Sequence, residues 1–412
     1  DAVIVGNVCR KDNVEALAAQ EFNIPCLHIA DVLKKFVLPN KSSLVVAGTH
    51  GKTTTSSLAA HLLQAAGLTP GWLIGGISKS LGKSFAPGGQ ESQKKERLPP
   101  FVLEGDEYDT AYWEKTAKFL HYRAEVAVIT SMEHDHVDIY PTQESYFQAF
   151  EKFIKTLPPD GLLILHPGNA KLVELSSRAS CPVIFYGLQG APSYGATLDW
   201  TIIPNPDGSQ GFTLKNRQNS CLSFRSPLSG EQNMMNSTAA LLAAHLGYGI
   251  ELESLRIPLE EFAGIKRRQE LRGSPRNIYV YDDFAHHPTA VRETLRGLRA
   301  RHSEGNVFAI FEPRSATACR RSHQEAYSSA FDAATRVIFA PIGRPELQPD
   351  EKLDILELGE TISRRGIPAT GPHEVDEIVA ICRNEAAPGD AIVLMSNGDF
   401  GGIHQKMLDS LA

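Results

Sequence analysis

The sequence predicts an α/β protein: a P-loop-type central domain on a mainly parallel sheet, followed by a second α/β domain. Three observations carry that prediction. An apolar run at 44–47 breaks at Gly48 and passes through Gly51-Lys52-Thr53 into a helical pattern. Short apolar runs then alternate with amphipathic stretches, the rhythm of a parallel sheet with helices on both faces. The rhythm restarts after Arg272-Gly273-Ser274-Pro275, a turn-rich junction. A chain of 412 residues with 42% hydrophobic content also exceeds one ordinary core, so two or three domains are expected.

In chain order, residues 1–40 hold two short apolar runs around a helical stretch at 14–21, part of a βαβ unit and too short for a domain. The first run follows Asp1 directly, without an initiator Met, so the sequence reads as a piece of a longer chain. The central domain is expected over 41–272. Its strands are expected at 44–47, 72–74, 101–104, 126–130 and 162–165, with helices after Lys52 and at 143–155. The polar segment 87–97 is expected as a solvated, mobile loop, and 196–224 as a few antiparallel strands. An Ala-rich helix at 236–246 follows. The second domain, 273–412, is expected to set strands at 277–281, 307–311, 337–340 and 391–395. Helices near 290–301, 322–333, 352–364 and 374–383 alternate with them.

Composition narrows the partners. The net charge is −7 and the pI about 6.1, so nothing suggests a nucleic-acid or membrane partner. No apolar run approaches a membrane span, and no signal peptide is visible. The cysteines, Cys9, Cys26, Cys181, Cys221, Cys319 and Cys382, have no metal-ligand spacing. They read as reduced thiols of a cytoplasmic protein.

Gly48-Thr49-His50-Gly51-Lys52-Thr53-Thr54 has the layout of a phosphate cradle. Backbone N–H groups at a helix start face an anion, Lys52 reaches terminal phosphates, and the Thr53 hydroxyl can coordinate Mg²⁺. The longer form of the motif has glycine where Val46 stands, so this is the short Gly-x-x-Gly-Lys-Thr form. The strand at 101–104 delivers Glu104-Gly105-Asp106-Glu107-Tyr108-Asp109 to the sheet edge where α/β folds bind ligands. The next strand ends in Glu133-His134-Asp135-His136. Glu104 and His136 beside the cradle suggest a Mg²⁺ site; zinc is the competing reading for His134 and His136.

Asn233 and Asn236, near the start of the Ala-rich helix, could cap backbone or pair with a purine edge. Arg267 and Arg268 follow Lys266 at the domain junction and would face the phosphates if the second domain closed over them. In that domain, Asp282-Asp283-Phe284-Ala285-His286-His287-Pro288 leaves a strand and opens a helix, with Pro288 suited to its first turn. Arg314 ends another strand as a guanidinium fit for a substrate carboxylate. Ser396-Asn397-Gly398-Asp399 follows the last.

Taken together, these segments resemble the Mur ligase family, ATP-dependent amide-forming enzymes of peptidoglycan synthesis. The resemblance spans essentially the whole chain. It implies a truncated Rossmann-like UDP-binding domain at 1–40 and a Rossmann-like acceptor-binding domain at 273–412. The phrases 104–109, 311–315 and 396–405 are similar to the branch that recycles murein tripeptide rather than to the alanine-adding branch.

By this resemblance the substrates are UDP-N-acetylmuramate and L-Ala-γ-D-Glu-meso-diaminopimelate, joined through an acyl phosphate at the expense of ATP with two Mg²⁺ ions. Thr53 and Glu104 would hold one ion and His136 the second. Asn233 and Asn236 would contact adenine, Asp282 the ribose, and Arg267 or Arg268 a phosphate. His287, Arg314, Ser396 and Asn397 would serve the acceptor peptide. Some family members carry a carbamylated lysine near the position of Glu151, and Gln232 stands where a histidine is usual. Monomer and dimer both remain open.

Overall fold

The computed structural model describes residues 1–89, 98–206, 210–344, 346–348 and 350–412. Most of the loop expected at 87–97 therefore lies outside the described residues. Two compact units emerge: residues 1–227 with 233–263, and 228–232 with 264–412.

In the first unit a ten-stranded sheet runs, edge to edge, Cys221–Arg225, Gly211–Asn216, Trp200–Pro204, Val183–Leu188, Leu162–Leu165, Val126–Ile129, Ser42–Ala47, Pro100–Gly105, Gly71–Leu73, Phe85–Ala86. The strands from Trp200–Pro204 to Gly71–Leu73 are parallel; the outer pairings are antiparallel. The antiparallel strands expected within 196–224 thus extend the parallel sheet. Val183–Leu188 and the hairpin Asp109–Ala111 with Glu114–Ala117 were not anticipated.

Ser42–Ala47 is buried at every position, as a central parallel strand covered on both faces must be. Helix Gln143–Lys155 packs Tyr146, Phe150 and Phe153 into a core shared with Val45, Leu103 and Ile129. A capping box at Thr142 and Ser145 starts it, and Lys152 and Lys155 oppose its negative end. Residues 1–40 form a parallel pair, Val3–Val5 with Cys26–His28, joined by helix Val14–Glu21.

The second unit has a six-stranded sheet, Glu270–Gly273, Tyr279–Asp283, Ala391–Met395, Val307–Phe311, Arg336–Phe339, Ala369–Thr370. Only the first pairing is antiparallel. One face carries helices Pro288–Arg301, Gln324–Ala330 and Ile355–Arg364, the other Val375–Glu385 and Ile403–Leu411. The units divide at 263/264 rather than at 272/273, because Glu270–Gly273 hydrogen-bonds to Tyr279–Asp283 and joins this sheet. The sheets are mostly parallel with helices packed on them, the α/β class expected.

Candidate active site

Register places the cradle. Ala47 is level with Gly105 on one side and Ile129 on the other. The segments leaving three neighbouring parallel strands therefore meet at one sheet edge. Gly48 has φ +131°, and a Cβ there would lie 2.3 Å from Thr130 Oγ1 and 2.9 Å from the Ser131 backbone. Only glycine lets the turn lie that close to the next strand end. Gly51 has φ +82°, and a Cβ on it would meet Asn236 Oδ1 at 2.3 Å. The loop is braced from the side of 130–133: Thr49 N–H donates to Ser131 O at 3.2 Å. His50 N–H donates to Ser131 Oγ at 2.9 Å, and Glu133 N–H to Thr49 Oγ1 at 2.8 Å. Helix Lys52–Ala65 closes its first backbone bond at Thr55 N–H to Gly51 O, so its first-turn N–H groups lack intrahelical acceptors.

The Lys52 ammonium donates to Gly48 O at 2.6 Å, Glu107 Oε1 at 2.9 Å and Thr49 O at 3.3 Å. Glu107, 1% exposed, lies three residues past Glu104 in the acidic run. The chain turns tightly after the strand, with Asp106 N–H bonded to Glu104 O, and Tyr140 Oη donates to Glu107 O at 2.7 Å. That turn brings Glu107, not Glu104, to the lysine. Its Oε2 also lies 2.9 Å from Nζ, yet completes no hydrogen bond. Its Oε1 accepts from His136 Nε2 at 3.1 Å. Burial alone would disfavour each charge. The mutual attraction overrides it, so Glu107 is held below its ordinary pKa while Lys52 and His136 are held above theirs.

Glu104 lies beside Thr53. Its Oε1 accepts from Thr53 Oγ1 at 2.8 Å and its Oε2 from Gly75 N–H at 2.7 Å. A hydroxyl and a carboxylate side by side at the helix start form an oxygen donor pair that fits Mg²⁺. Zinc fits less well: His134 Nε2 is bonded to Tyr140 O at 2.8 Å rather than grouped with His136.

A second histidine–carboxylate group, His28, Glu114 and His121, also lies within ligand spacing. There His28 Nδ1 accepts Asp31 N–H at 3.1 Å, so Nε2 carries the proton and donates to Glu114 at 3.1 Å. That proton occupies the nitrogen a metal would need.

The Ala-rich helix begins at Glu231, five residues before the expected start, so neither Asn233 nor Asn236 caps it. Asn236 is buried against Gly51, and its Nδ2 donates to Asn233 Oδ1 at 3.2 Å. Glu151 pairs with Lys155 at 2.6 Å on its own helix.

In the second unit, Asp283, Phe311 and Met395 are level in adjacent strands, so the loops after them share an edge. His287 caps helix Pro288–Arg301, with Pro288 in its first turn as expected. Arg314 runs past Gly343 and Gly398. There it lies 3.4 Å from Glu312 Oε1 and remains 46% exposed. Ser396 Oγ donates to Glu312 and accepts Gly398 N–H at 2.9 Å. Asn397 Oδ1 is buried without a hydrogen-bond partner. Arg267 donates to Ser396 O at 2.7 Å and Gly398 O at 2.6 Å, while Arg268 stacks on Phe284 at 4.6 Å. Asp282 is ringed by His404 at 3.1 Å, Arg272 at 3.1 Å and Arg267 at 3.6 Å, which holds its pKa down against burial. His404 and Glu312 carry no signal in the sequence beyond lying in segments that follow strands.

A lysine-bearing phosphate cradle on one α/β unit, with a second α/β unit presenting polar loops at its own strand ends, is the arrangement of a nucleotide-dependent ligase. The Mur ligase middle domain matches residues 46–244, and the Mur ligase glutamate ligase domain matches residues 267–398. The chain belongs to the Mur ligase family and is an ATP-dependent, amide-forming ligase. It is 32% identical to the UDP-N-acetylmuramate–L-alanyl-γ-D-glutamyl-meso-2,6-diaminoheptandioate ligase of Haemophilus influenzae, across 100% of this chain and 85% of that protein. A murein peptide ligase structure from Psychrobacter arcticus is 30% identical, with TM-score 0.69 over 100% of this chain and 86% of the other. The UDP-N-acetylmuramate–L-alanine ligase of Paenarthrobacter aurescens is 31% identical across 99% of this chain and 84% of that protein.

Proposed function

We propose that this ligase joins L-Ala-γ-D-Glu-meso-diaminopimelate to UDP-N-acetylmuramate, a peptidoglycan-recycling reaction, through an acyl phosphate. A carboxylate is a poor electrophile. Transfer of the γ-phosphoryl group of ATP to the lactyl carboxylate, with release of ADP, gives it a leaving group. The tripeptide amine then attacks the acyl carbon, loses a proton and expels phosphate. The observation that carries this reading is Lys52, fixed in the cradle and already balanced by a buried carboxylate. Its ammonium would neutralise phosphate charge as it develops.

Thr53 and Glu104 would hold one Mg²⁺ and His136 a second; when bound, Mg²⁺ offsets the charge of polyphosphate approaching a carboxylate. Asn233 and Asn236 would stand on the adenine side and Asp282, Arg267 and Arg268 on the ribose and phosphate side. Arg314, with His287, Ser396 and Asn397, would receive the acceptor. Its half-exposed guanidinium suits a peptide carboxylate better than a methyl side chain.

Alanine ligation is the second reading, supported by relatives of comparable identity. Phosphate release is measured with ATP, UDP-N-acetylmuramate and either L-alanine or the tripeptide. Tripeptide-dependent turnover is expected, and turnover with alanine alone overturns the assignment.

A further inference from the structure

We infer that Glu107 is the positioning residue of the nucleotide site: through one buried carboxylate it fixes the Lys52 ammonium in the cradle and selects the ring nitrogen that His136 presents to a cation. The inference deepens the proposed function and rests on its assignment of His136 to metal.

The geometry runs through shared atoms. Glu107 Oε1 accepts both from Lys52 Nζ at 2.9 Å and from His136 Nε2 at 3.1 Å. An ionised carboxylate can only accept, so Nε2 keeps its hydrogen, and Nδ1, once it has released any proton of its own to solvent, is the nitrogen left to offer a lone pair. A histidine ligand whose other nitrogen donates to a carboxylate is held in one tautomer and one orientation. The surroundings hold the arrangement. Tyr140 Oη binds the Glu107 carbonyl, and Tyr140 N–H bonds to His136 O at 2.8 Å. His136 itself sits at φ +54°, a left-handed conformation that a non-glycine residue keeps only where its surroundings hold it. Tyr108 packs on the imidazole with ring centroids 4.3 Å apart. Glu104, by contrast, accepts from Thr53 Oγ1 and Gly75 N–H, and Glu107 is the carboxylate that bridges Lys52 and His136.

The test is a double-mutant cycle read by equilibrium binding. Mn²⁺ is titrated into the full chain with saturating ADP, and unbound Mn²⁺ is followed by electron paramagnetic resonance. Wild type, Glu107→Gln, His136→Ala and the double variant are compared. Glu107→Gln is expected to weaken Mn²⁺ binding by roughly 10–100-fold, the range for loss of an outer-shell partner. In the His136→Ala background the same change should add almost nothing, because the path through the imidazole is already gone. Where Glu107→Gln does not fold, as judged by circular dichroism, Glu107→Asp replaces it in the cycle; its charge is kept but one methylene of reach is lost.

Unchanged Mn²⁺ affinity in the single variant, or losses that add in the double variant, overturns the inference. These failures differ from failure of the proposed reaction. A wild-type chain that binds Mn²⁺ and ADP but shows no tripeptide-dependent ADP formation removes the substrates and leaves Glu107's role standing.

Discussion

The two strand-end edges of this molecule are built on opposite plans. At the edge of the first unit, Lys52, Glu107 and His136 neutralise one another inside the protein, with side chains between 1% and 14% exposed. At the edge of the second, Arg314 is 46% exposed and only 3.4 Å from its nearest carboxylate, a loose contact. A buried charge network tolerates one arrangement, because each unpaired member would bear its full desolvation cost. A half-exposed guanidinium keeps its reach and its alternatives. Under the proposed function, the first edge would take the polyphosphate and the second the peptide.

The strongest way to break the first edge is Lys52→Ala. ADP formation should fall by roughly 10³-fold, the scale set by removing an electrostatic stabiliser of the transition state. Steady-state assay with both substrates checks it, and near-normal turnover removes the cradle from the mechanism. The backbone of the same edge can be probed without touching charge. Gly48→Ala puts a Cβ against Thr130 and the Ser131 backbone at φ +131°, and should cost about 1–3 kcal/mol. Urea unfolding would show it as a lower midpoint, whereas Gly366→Ala, at φ +89° with nothing within 4 Å, should lose less.

Arg314→Ala tests the open edge. A charge-assisted hydrogen bond contributes about 1.5–3 kcal/mol, so KM for the tripeptide should rise roughly 10–150-fold while KM for ATP stays put. Equal changes in both would erase the proposed division between the edges.

The smallest effect separates two imidazoles that follow neighbouring strands. Burial holds His166 below its ordinary pKa, whereas Glu107 holds His136 above its own. A depressed histidine favours the fold above its unfolded pKa of about 6.5, and that contribution is lost as pH falls toward the folded value. A raised one works in reverse: its contribution is present below about 6.5 and lost as pH rises through the folded value. Between pH 8 and pH 5.5 the melting temperature of His166→Gln should therefore decline less than that of wild type. Parallel curves would show that His166 does not contribute to the acid side.

Much of this was legible in the residues because it is local. A strand that breaks at Gly48 and restarts as a helix at Lys52 is written in adjacent residues, and period and turn chemistry marked most strands and helices. Glu104 could be selected because it leaves an apolar run directly. Glu107 could not, since its importance arises from a turn that folds it back under Lys52 and from Tyr140, 33 positions away. The helix start at Glu231 was likewise misplaced, because Glu231 and Gln232 carry no apolar periodicity.

What the sequence determined by itself was the α/β class, the cradle and the family, for those rest on spacing along the chain. Tertiary structure alone decided which carboxylate meets the lysine, that Asn236 packs on Gly51, and that 270–273 joins the second sheet. The physical reason is that buried charges and close backbone approaches are settled by partners distant in sequence, where desolvation and packing, not local propensity, set the energy.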